Sequence, residues 1–91
     1  MKSYLKLYIT GQTPKSQQAV QTLHEICREK FQDEYEIQII DVLEHPQLAE
    51  DERILATPTV VKELPPPIRR VIGDLSEKEK VLLGLDLVSP P

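Results

Sequence analysis

Thiol chemistry is the first activity that the residues of this chain could support, because the sequence contains one cysteine, Cys27. A catalytic thiol needs a low pKa, which proteins provide at the N-terminus of a helix, usually in a Cys-x-x-Cys motif. Cys27 instead lies on the apolar side of a helical pattern, more than two turns from its start. We therefore expect a buried structural cysteine and no internal disulfide.

Metal binding and acid–base catalysis find little support in the other polar residues. His45 has no histidine, cysteine or suitably spaced carboxylate near it with which to form a metal site. Asp41 lies near the end of a predicted strand, where a role in a turn or cap is favoured over that of a catalytic acid. We expect no catalytic residue, no metal and no cofactor.

Charge and hydropathy argue against two classes of partner. The net charge of −4, with Lys and Arg spread along the 91 residues, disfavours binding to a nucleic-acid backbone. Four aromatic residues are too few for a base-stacking surface. No apolar run approaches the ~18 residues of a membrane span, and the N-terminus has no signal-peptide pattern. We expect one small cytoplasmic domain with neither nucleic-acid nor membrane partners.

The first half of the chain predicts a β-α-β unit. Residues 4–9 alternate between apolar and polar side chains, as in a half-buried strand. Thr13 can cap a helix that has Pro14 at its first position and runs to about residue 31. A second strand is predicted over 35–42, and because it becomes apolar on both faces, it suits a central strand parallel to the first.

The second half contains three further predicted elements. Helix-forming residues follow Pro46, and residues 57–61 indicate a strand. Ser76 and Glu79 form a capping box, so that a last helix should begin at Glu77. This helix is expected to bury three apolar residues, namely Val81, Leu82 and Leu85.

Two segments of this half allow two conformations each. Residues 68–72 fit a short strand or a helical turn, because prolines permit either start just after them. Gly84 costs up to about 1 kcal/mol inside a helix but serves well as a stop, so residues 85–88 either lengthen the last helix or form a strand. The resulting orders are the thioredoxin-like β-α-β-α-β-β-α and the alternative β-α-β-β-α-α-β. A chain that switches folds requires two packings of one sequence whose free energies differ by only a few kcal/mol.

The sequence resembles the KaiB family of cyanobacterial clock proteins over nearly its whole length. A proline triplet between the segments Ala-Thr-Pro-Thr and Gly-Asp-Leu-Ser is more specific than any short catalytic motif. The matching segments are residues 5–8, 11–16, 40–43, 46–49, 54–59, 64–70, 72–76 and 84–87.

The resemblance implies a non-enzymatic clock component with a single domain over residues 1–91. Residues 1–43 would be common to two folds, and residues 44–91 would switch between them. A resting homotetramer with the alternative order would exchange with a rare thioredoxin-like monomer. That monomer would bind the ATPase ring of the KaiC hexamer, sequester KaiA, compete with SasA- or CikA-type kinases and promote KaiC dephosphorylation.

The resemblance also implies roles for individual residues. Lys62, Arg69 and Arg53 match basic positions used for partner binding, and Tyr8, in the common first strand, is the fourth residue expected to bind a partner. Gly84 and Asp86 match positions that govern the equilibrium between the two folds. The peptide bonds before four prolines would isomerise during the exchange, namely those before Pro58, Pro65, Pro66 and Pro67. A Gly84→Ala substitution should favour the longer helix.

Two other functions stay open at this point. A thiol oxidoreductase would share the β-α-β start and a Thr-Pro before the third strand, but residues 12–16 contain no sulfur where its active site would be. A KaiB-like sensor domain of a SasA-type histidine kinase would share the fold, but the proline triplet favours a KaiB protein. A KaiB homologue in a reduced clock or a stress-response system is a further alternative.

Overall fold

Seven elements follow one another in the order β-α-β-α-β-β-α in the computed structural model, which describes residues 2–32, 34–73 and 75–87. The elements are β1 (Ser3–Ile9), α1 (Pro14–Phe31), β2 (Tyr35–Asp41), α2 (Pro46–Asp51), β3 (Thr59–Leu64), β4 (Arg69–Ile72) and α3 (Lys78–Gly84).

The four strands form one mixed sheet in the order β2-β1-β3-β4. β2 is therefore an edge strand, and the prediction of a central strand is wrong, because only one of its residues is buried. β1 pairs in parallel with β2 and antiparallel with β3, and β3 pairs antiparallel with β4. The thioredoxin-like order is therefore the one observed, and the alternative order is not: residues 69–72 are a strand, and residues 85–87 are not. Val88, the last residue of the alternative strand, lies outside the described residues.

The main core lies on the face of the sheet that α1 and α3 cover. β1 directs Leu5, Leu7 and Ile9 to this face, and β3 contributes Val60, because alternate side chains of a strand share a face. The helices supply the apolar residues Ala19, Leu23, Ile26, Cys27, Val81, Leu82 and Leu85. The predicted burial of Cys27 and of the three apolar residues of the last helix is confirmed.

A smaller cluster occupies the opposite face of the sheet. Tyr8, Ile40 and Val61 are buried together, and Val42 and Ile54 pack against them. α2, a helix of 6 residues, and the loop after it lie on this side. Because α2 is short, much of this face is polar and carries ion pairs such as that between Lys6 and Glu63, 3.5 Å apart.

Local signals place the helix starts with unequal accuracy. α1 begins at Pro14, and the side chain of Thr13 accepts a hydrogen bond from the backbone N–H of Ser16, as the capping pattern predicts. α3 begins at Lys78 with Glu77 as its N-cap residue, one position later than predicted. Ser76 is therefore not the N-cap residue, and the predicted capping box does not open this helix.

Candidate functional site

An open groove of about 650 Å³ lies beside α2, at the end of the sheet where β1 and β2 finish and β3 begins. We call it the α2 groove. Its lining is mostly apolar and comprises Thr10, Val42, Pro46, Ala49, Glu50, Arg53, Ile54, Leu55, Ala56 and Thr57. It therefore offers a recess for an apolar group of a partner, with charged side chains at its rim.

Hydrogen bonds fix the loops that surround the α2 groove. The hydroxyl groups of Thr10 and Thr57 are 2.6 Å apart and join the end of β1 to the segment before β3. The Asp41 carboxylate accepts hydrogen bonds from the backbone N–H groups of Gly11 (3.2 Å) and Leu43 (2.9 Å). The predicted turn role of Asp41 is thus confirmed.

Two large apolar side chains project from these loops into solvent. Leu55, which lines the α2 groove, is 94% exposed, and Leu43 is 69% exposed. An exposed leucine by itself is ordinary, but exposed apolar side chains beside a concave apolar surface mark interaction sites. The α2 groove is therefore the candidate docking surface of this fold.

Arg53 takes an unusual backbone conformation at the rim of the α2 groove. Its φ is +55°, in the left-handed region. The N–H of Arg53 donates to the carbonyl of Glu50 (3.1 Å), and the N–H of Ile54 donates to that of Ala49 (2.8 Å). These two bonds form a Schellman motif, in which glycine usually occupies the position that Arg53 holds. Residues held in this conformation concentrate at functional sites.

Asp86 holds the same position at the end of α3. Its φ is +59°, its N–H donates to the carbonyl of Leu83 (3.1 Å), and the N–H of Leu87 donates to that of Leu82 (2.9 Å). α3 therefore stops at Gly84, and residues 85–87 turn Leu85 and Leu87 onto the main core. Two residues singled out by resemblance, Arg53 and Asp86, thus share one backbone motif.

Lys62 is buried on the main-core face of β3 and is only 1% exposed. It lies opposite Leu5 on one side and Arg69 on the other. Burial lowers the pKa of its ammonium group; the charge of Asp86 opposes this shift, and that of Arg69 adds to it. A direct contact between Lys62 and a partner would require this side chain to leave its buried position, and the contact that the resemblance implies stays a prediction.

Tyr8 is also buried, in the smaller cluster on the opposite face. Burial raises the pKa of its hydroxyl group, and the charges of Glu52 and Glu63 raise it further, whereas that of Arg70 lowers it. Its ring therefore supports the sheet beneath the loop after α2, and its role in partner binding stays a prediction.

The predicted partner-binding residues consequently belong to two separate places. Lys62 and Arg69 meet on the face covered by α3, near Asp86. Arg53 and Tyr8 lie on the other face, near Glu52 and Arg70. Of these four, Arg53 and Arg69 are exposed.

Gly84 permits a close approach between α3 and β4. A β-carbon at this position would lie 2.5 Å from Cγ2 of Val71, a distance at which something must move. The prediction that Gly84→Ala favours the longer helix rests on helix propensity alone. In the present fold, the close contact with Val71 opposes the stabilisation that alanine would give the helix.

The prolines flank β3 on both sides. Pro58 is buried immediately before Thr59, the first residue of β3. Pro65, Pro66 and Pro67 connect β3 to β4. The bonds that precede Pro58, Pro65 and Pro67 are cis.

Sequence reasoning missed Arg70, which makes more contacts than either predicted arginine. Its guanidinium group donates to the backbone carbonyls of Glu52 (2.8 Å) and Arg53 (3.2 Å) and lies 4.0 Å from the Glu52 carboxylate. Arg69 donates to the carbonyl of its neighbour Ile68. The alternation of side chains along β4 separates the two arginines, but the sequence did not reveal the loop that Arg70 reaches.

Among residues 2–32, 34–73 and 75–87, no group of three or more His, Cys, Asp or Glu could hold a metal ion. Burial raises the pKa of the Cys27 thiol to about 12. No helix in the same ranges has both the length and the hydropathy needed to cross a bilayer.

Comparison with known proteins assigns the chain to a family. The model of the KaiB domain matches residues 6–87. The chain belongs to the KaiB family. It is 58% identical over 84 residues to the circadian clock protein KaiB3 of Synechocystis sp., covering 92% of this chain and 82% of that protein. It is 59% identical over 88 residues to the circadian clock oscillator protein KaiB of Microcystis aeruginosa, covering 96% and 85%.

Solved structures confirm the thioredoxin-like fold of this KaiB-family chain. The N-terminal domain of Synechococcus elongatus SasA has a TM-score of 0.76 and 26% identity, covering 100% of this chain and 90% of that domain. Mitochondrial thioredoxin 3 of Saccharomyces cerevisiae has a TM-score of 0.72 and 15% identity, covering 96% and 79%. The thioredoxin similarity concerns the fold alone.

Proposed function

We propose that this chain is a cytoplasmic, non-enzymatic component of a circadian clock that binds the ATPase ring of the KaiC hexamer in its thioredoxin-like fold. The observation that carries the proposal is the similarity of this fold, over the whole chain, to the N-terminal domain of SasA. Relatives of 58–59% identity that are named as circadian clock proteins support the same role.

The docking surface in this proposal is the α2 groove. Leu55 would enter an apolar recess of the partner, and Arg53 at the rim would contact one of its acidic groups. Lys62 and Tyr8 would act indirectly, by supporting the sheet, because both are buried. A partner that buries Leu55 gains roughly 1.5–3 kcal/mol from this side chain, enough to make it an anchor.

The remaining parts of the proposal follow from family membership. Residues 44–91 would exchange between this fold and a resting homotetramer, and binding of the ring would draw the exchange toward this fold by mass action. The bound chain would sequester KaiA, compete with SasA- or CikA-type kinases and promote KaiC dephosphorylation. The similarity to the SasA domain supports the competition, since two domains with one fold can occupy one surface.

Size-exclusion chromatography with light scattering, with and without KaiC and a nucleotide, tests assembly and partner in one experiment. We expect co-elution with the KaiC hexamer and displacement of the chain by excess SasA N-terminal domain. Leu55→Asp should weaken binding by about tenfold or more. Leu64→Asp is the matched control, because Leu64 is exposed at the other end of β3. Absence of binding in every nucleotide state would refute the proposal.

The kinase-sensor alternative receives less support than the KaiB assignment. Identity to the SasA domain is 26%, whereas identity to KaiB relatives reaches 59% over 96% of the chain. A thiol oxidoreductase is disfavoured because the buried thiol of Cys27 is the chain's sole sulfhydryl group.

A further inference from the structure

The α2 groove depends on the loop that follows α2. Residues 52–54 leave α2 through the Schellman motif described above, with Arg53 in the left-handed conformation. For a residue other than glycine this conformation costs roughly 1–2 kcal/mol. The loop also carries Leu55, the most exposed large apolar residue in the described part of the chain. A contact from outside the loop would offset part of this cost.

Arg70 provides that compensation from a distant part of the sequence. One guanidinium group donates to the carbonyls of Glu52 and Arg53, which are the two residues that follow the last turn of α2. These carbonyls lie at a helix C-terminus, where unsatisfied acceptors concentrate and a positive charge is favourable. The nearby Glu52 carboxylate, 4.0 Å away, adds a charge partner.

The contact exists because residues 69–72 form a strand. Arg70 pairs in register with Val61, and this places its side chain on the α2 side of the sheet, whereas Arg69 pairs with Lys62 and faces α3. If residues 69–72 became helical, the register with β3 would be lost and the guanidinium group would leave the loop.

We propose that Arg70 is the positioning residue of the α2 groove and makes the shape of this groove depend on whether β4 is formed. Arg70 holds the carbonyls of residues 52 and 53, and these fix the backbone from which Arg53 and Leu55 project. The docking surface is therefore complete only in the thioredoxin-like fold. The link to partner binding rests on the proposed function, whereas the link between Arg70 and the loop does not.

Amide hydrogen exchange of the chain alone tests the positioning role. The N–H groups of Arg53 and Ile54 are the reporters, because they donate to the carbonyls of the Schellman motif. Arg70→Met should reduce their protection by about tenfold, the equivalent of one charge-assisted hydrogen bond. Arg70→Lys keeps the charge but cannot span both carbonyls, and it should restore little of this protection. Arg69→Met, the matched control on the other face, should leave both amides unchanged.

The amides of Val60 and Val71, which are paired residues of β3 and β4, establish in the same experiment that the sheet is intact. Unchanged protection of Arg53 and Ile54 in Arg70→Met would overturn the inference, as would equal losses in Arg69→Met. Binding of KaiC is then measured with the same variants. A loosened loop with weaker KaiC binding supports both proposals. A loosened loop with unchanged binding upholds the positioning role and refutes docking on the α2 groove.

Discussion

Lys62 and Arg69 lie directly opposite each other on the ladder between β3 and β4, so two cations form a cross-strand pair. Like charges in this arrangement destabilise a sheet. Lys62 is also buried, with 1% of its surface exposed. Asp86, at the end of α3, provides a weaker electrostatic attraction. The thioredoxin-like fold therefore contains an electrostatic cost at Lys62.

Replacing Lys62 with Met should increase the free energy of unfolding of this fold by about 1–2 kcal/mol at neutral pH, because an apolar side chain of similar size takes the place of a buried charge. The pKa of Lys62 in the fold is lowered below its ordinary value of 10.5. Between these two pKa values the unfolded chain binds more protons, so the stability of the wild type rises with pH through that window. The excess stability of Lys62→Met over the wild type should therefore become smaller as the pH rises through this window.

Urea denaturation of both proteins from pH 7 to pH 11 measures this difference. The comparison removes contributions shared by the two proteins, including that of Tyr8, whose raised pKa acts in the opposite direction at high pH. Lys6→Met is the control, because Lys6 is partly exposed and paired with Glu63 on the other face. A constant difference between Lys62→Met and the wild type across this range would contradict the expected titration.

A double-mutant cycle at Gly84 and Val71 should show strong coupling. Ala in place of Gly favours a helix by up to about 1 kcal/mol, but the new β-carbon would lie 2.5 Å from Val71 Cγ2. Displacing a packed side chain costs roughly 1–3 kcal/mol. Gly84→Ala should therefore be stabilising in a Val71→Ala background and at least ~1 kcal/mol less favourable in the wild type. Thermal and urea denaturation give the free energies of unfolding of the wild type, the two single variants and the double variant. If the effects of the two substitutions simply added, the side chain of Val71 would move aside without an energetic cost.

Substitutions at Asp86 should separate backbone conformation from charge. Asp86→Gly removes the cost of a positive φ and should raise the free energy of unfolding by about 0.5–1 kcal/mol. Asp86→Ala should lower it by a similar amount. Asp86→Asn retains the tolerance for this conformation but loses the attraction to Lys62, and should lower the pKa of Lys62 further. If Asp86→Gly were less stable than the wild type, the charge of Asp86 would outweigh its backbone cost.

The sequence predicted the elements whose signals are local. Thr13 and Pro14 specify the start of α1, and alternation specifies β1. The burial of Val81 and Leu85 follows from helical spacing. The choice between a strand and a helical turn at residues 69–72 was not local, because it depends on pairing with β3 and on the packing of α3 near Gly84.

The candidate site depends less on local sequence signals than the fold does. Resemblance indicated Arg53 but gave no physical reason for its role. The structure gives two reasons, the left-handed conformation of Arg53 and its place at the rim of the α2 groove. It also indicated Lys62 and Tyr8 as contacts, although both side chains are buried. Arg70 was missed because its partners are backbone carbonyls 17 and 18 residues away, which no side-chain pattern can reveal.

Cys27 should be unreactive in the folded chain, and this tests the remaining enzymatic alternative. With a pKa of about 12, about one thiol in 10⁴ is ionised at pH 8, against roughly a quarter at the ordinary pKa of ~8.5. Because the thiolate is the reactive species, Ellman's reagent should label native Cys27 about a thousandfold more slowly than the urea-unfolded chain. An insulin-reduction assay should show no turnover.

A Gln21→Cys variant provides the reference for an accessible thiol, because Gln21 is exposed on α1. In this variant one thiol should react within the time typical of free cysteine, and Cys27 should react only on unfolding. Rapid labelling of Cys27 in the native wild type would contradict its burial beneath the sheet. Insulin reduction that disappears in Cys27→Ser would instead establish a thiol activity and refute a purely structural role for this residue.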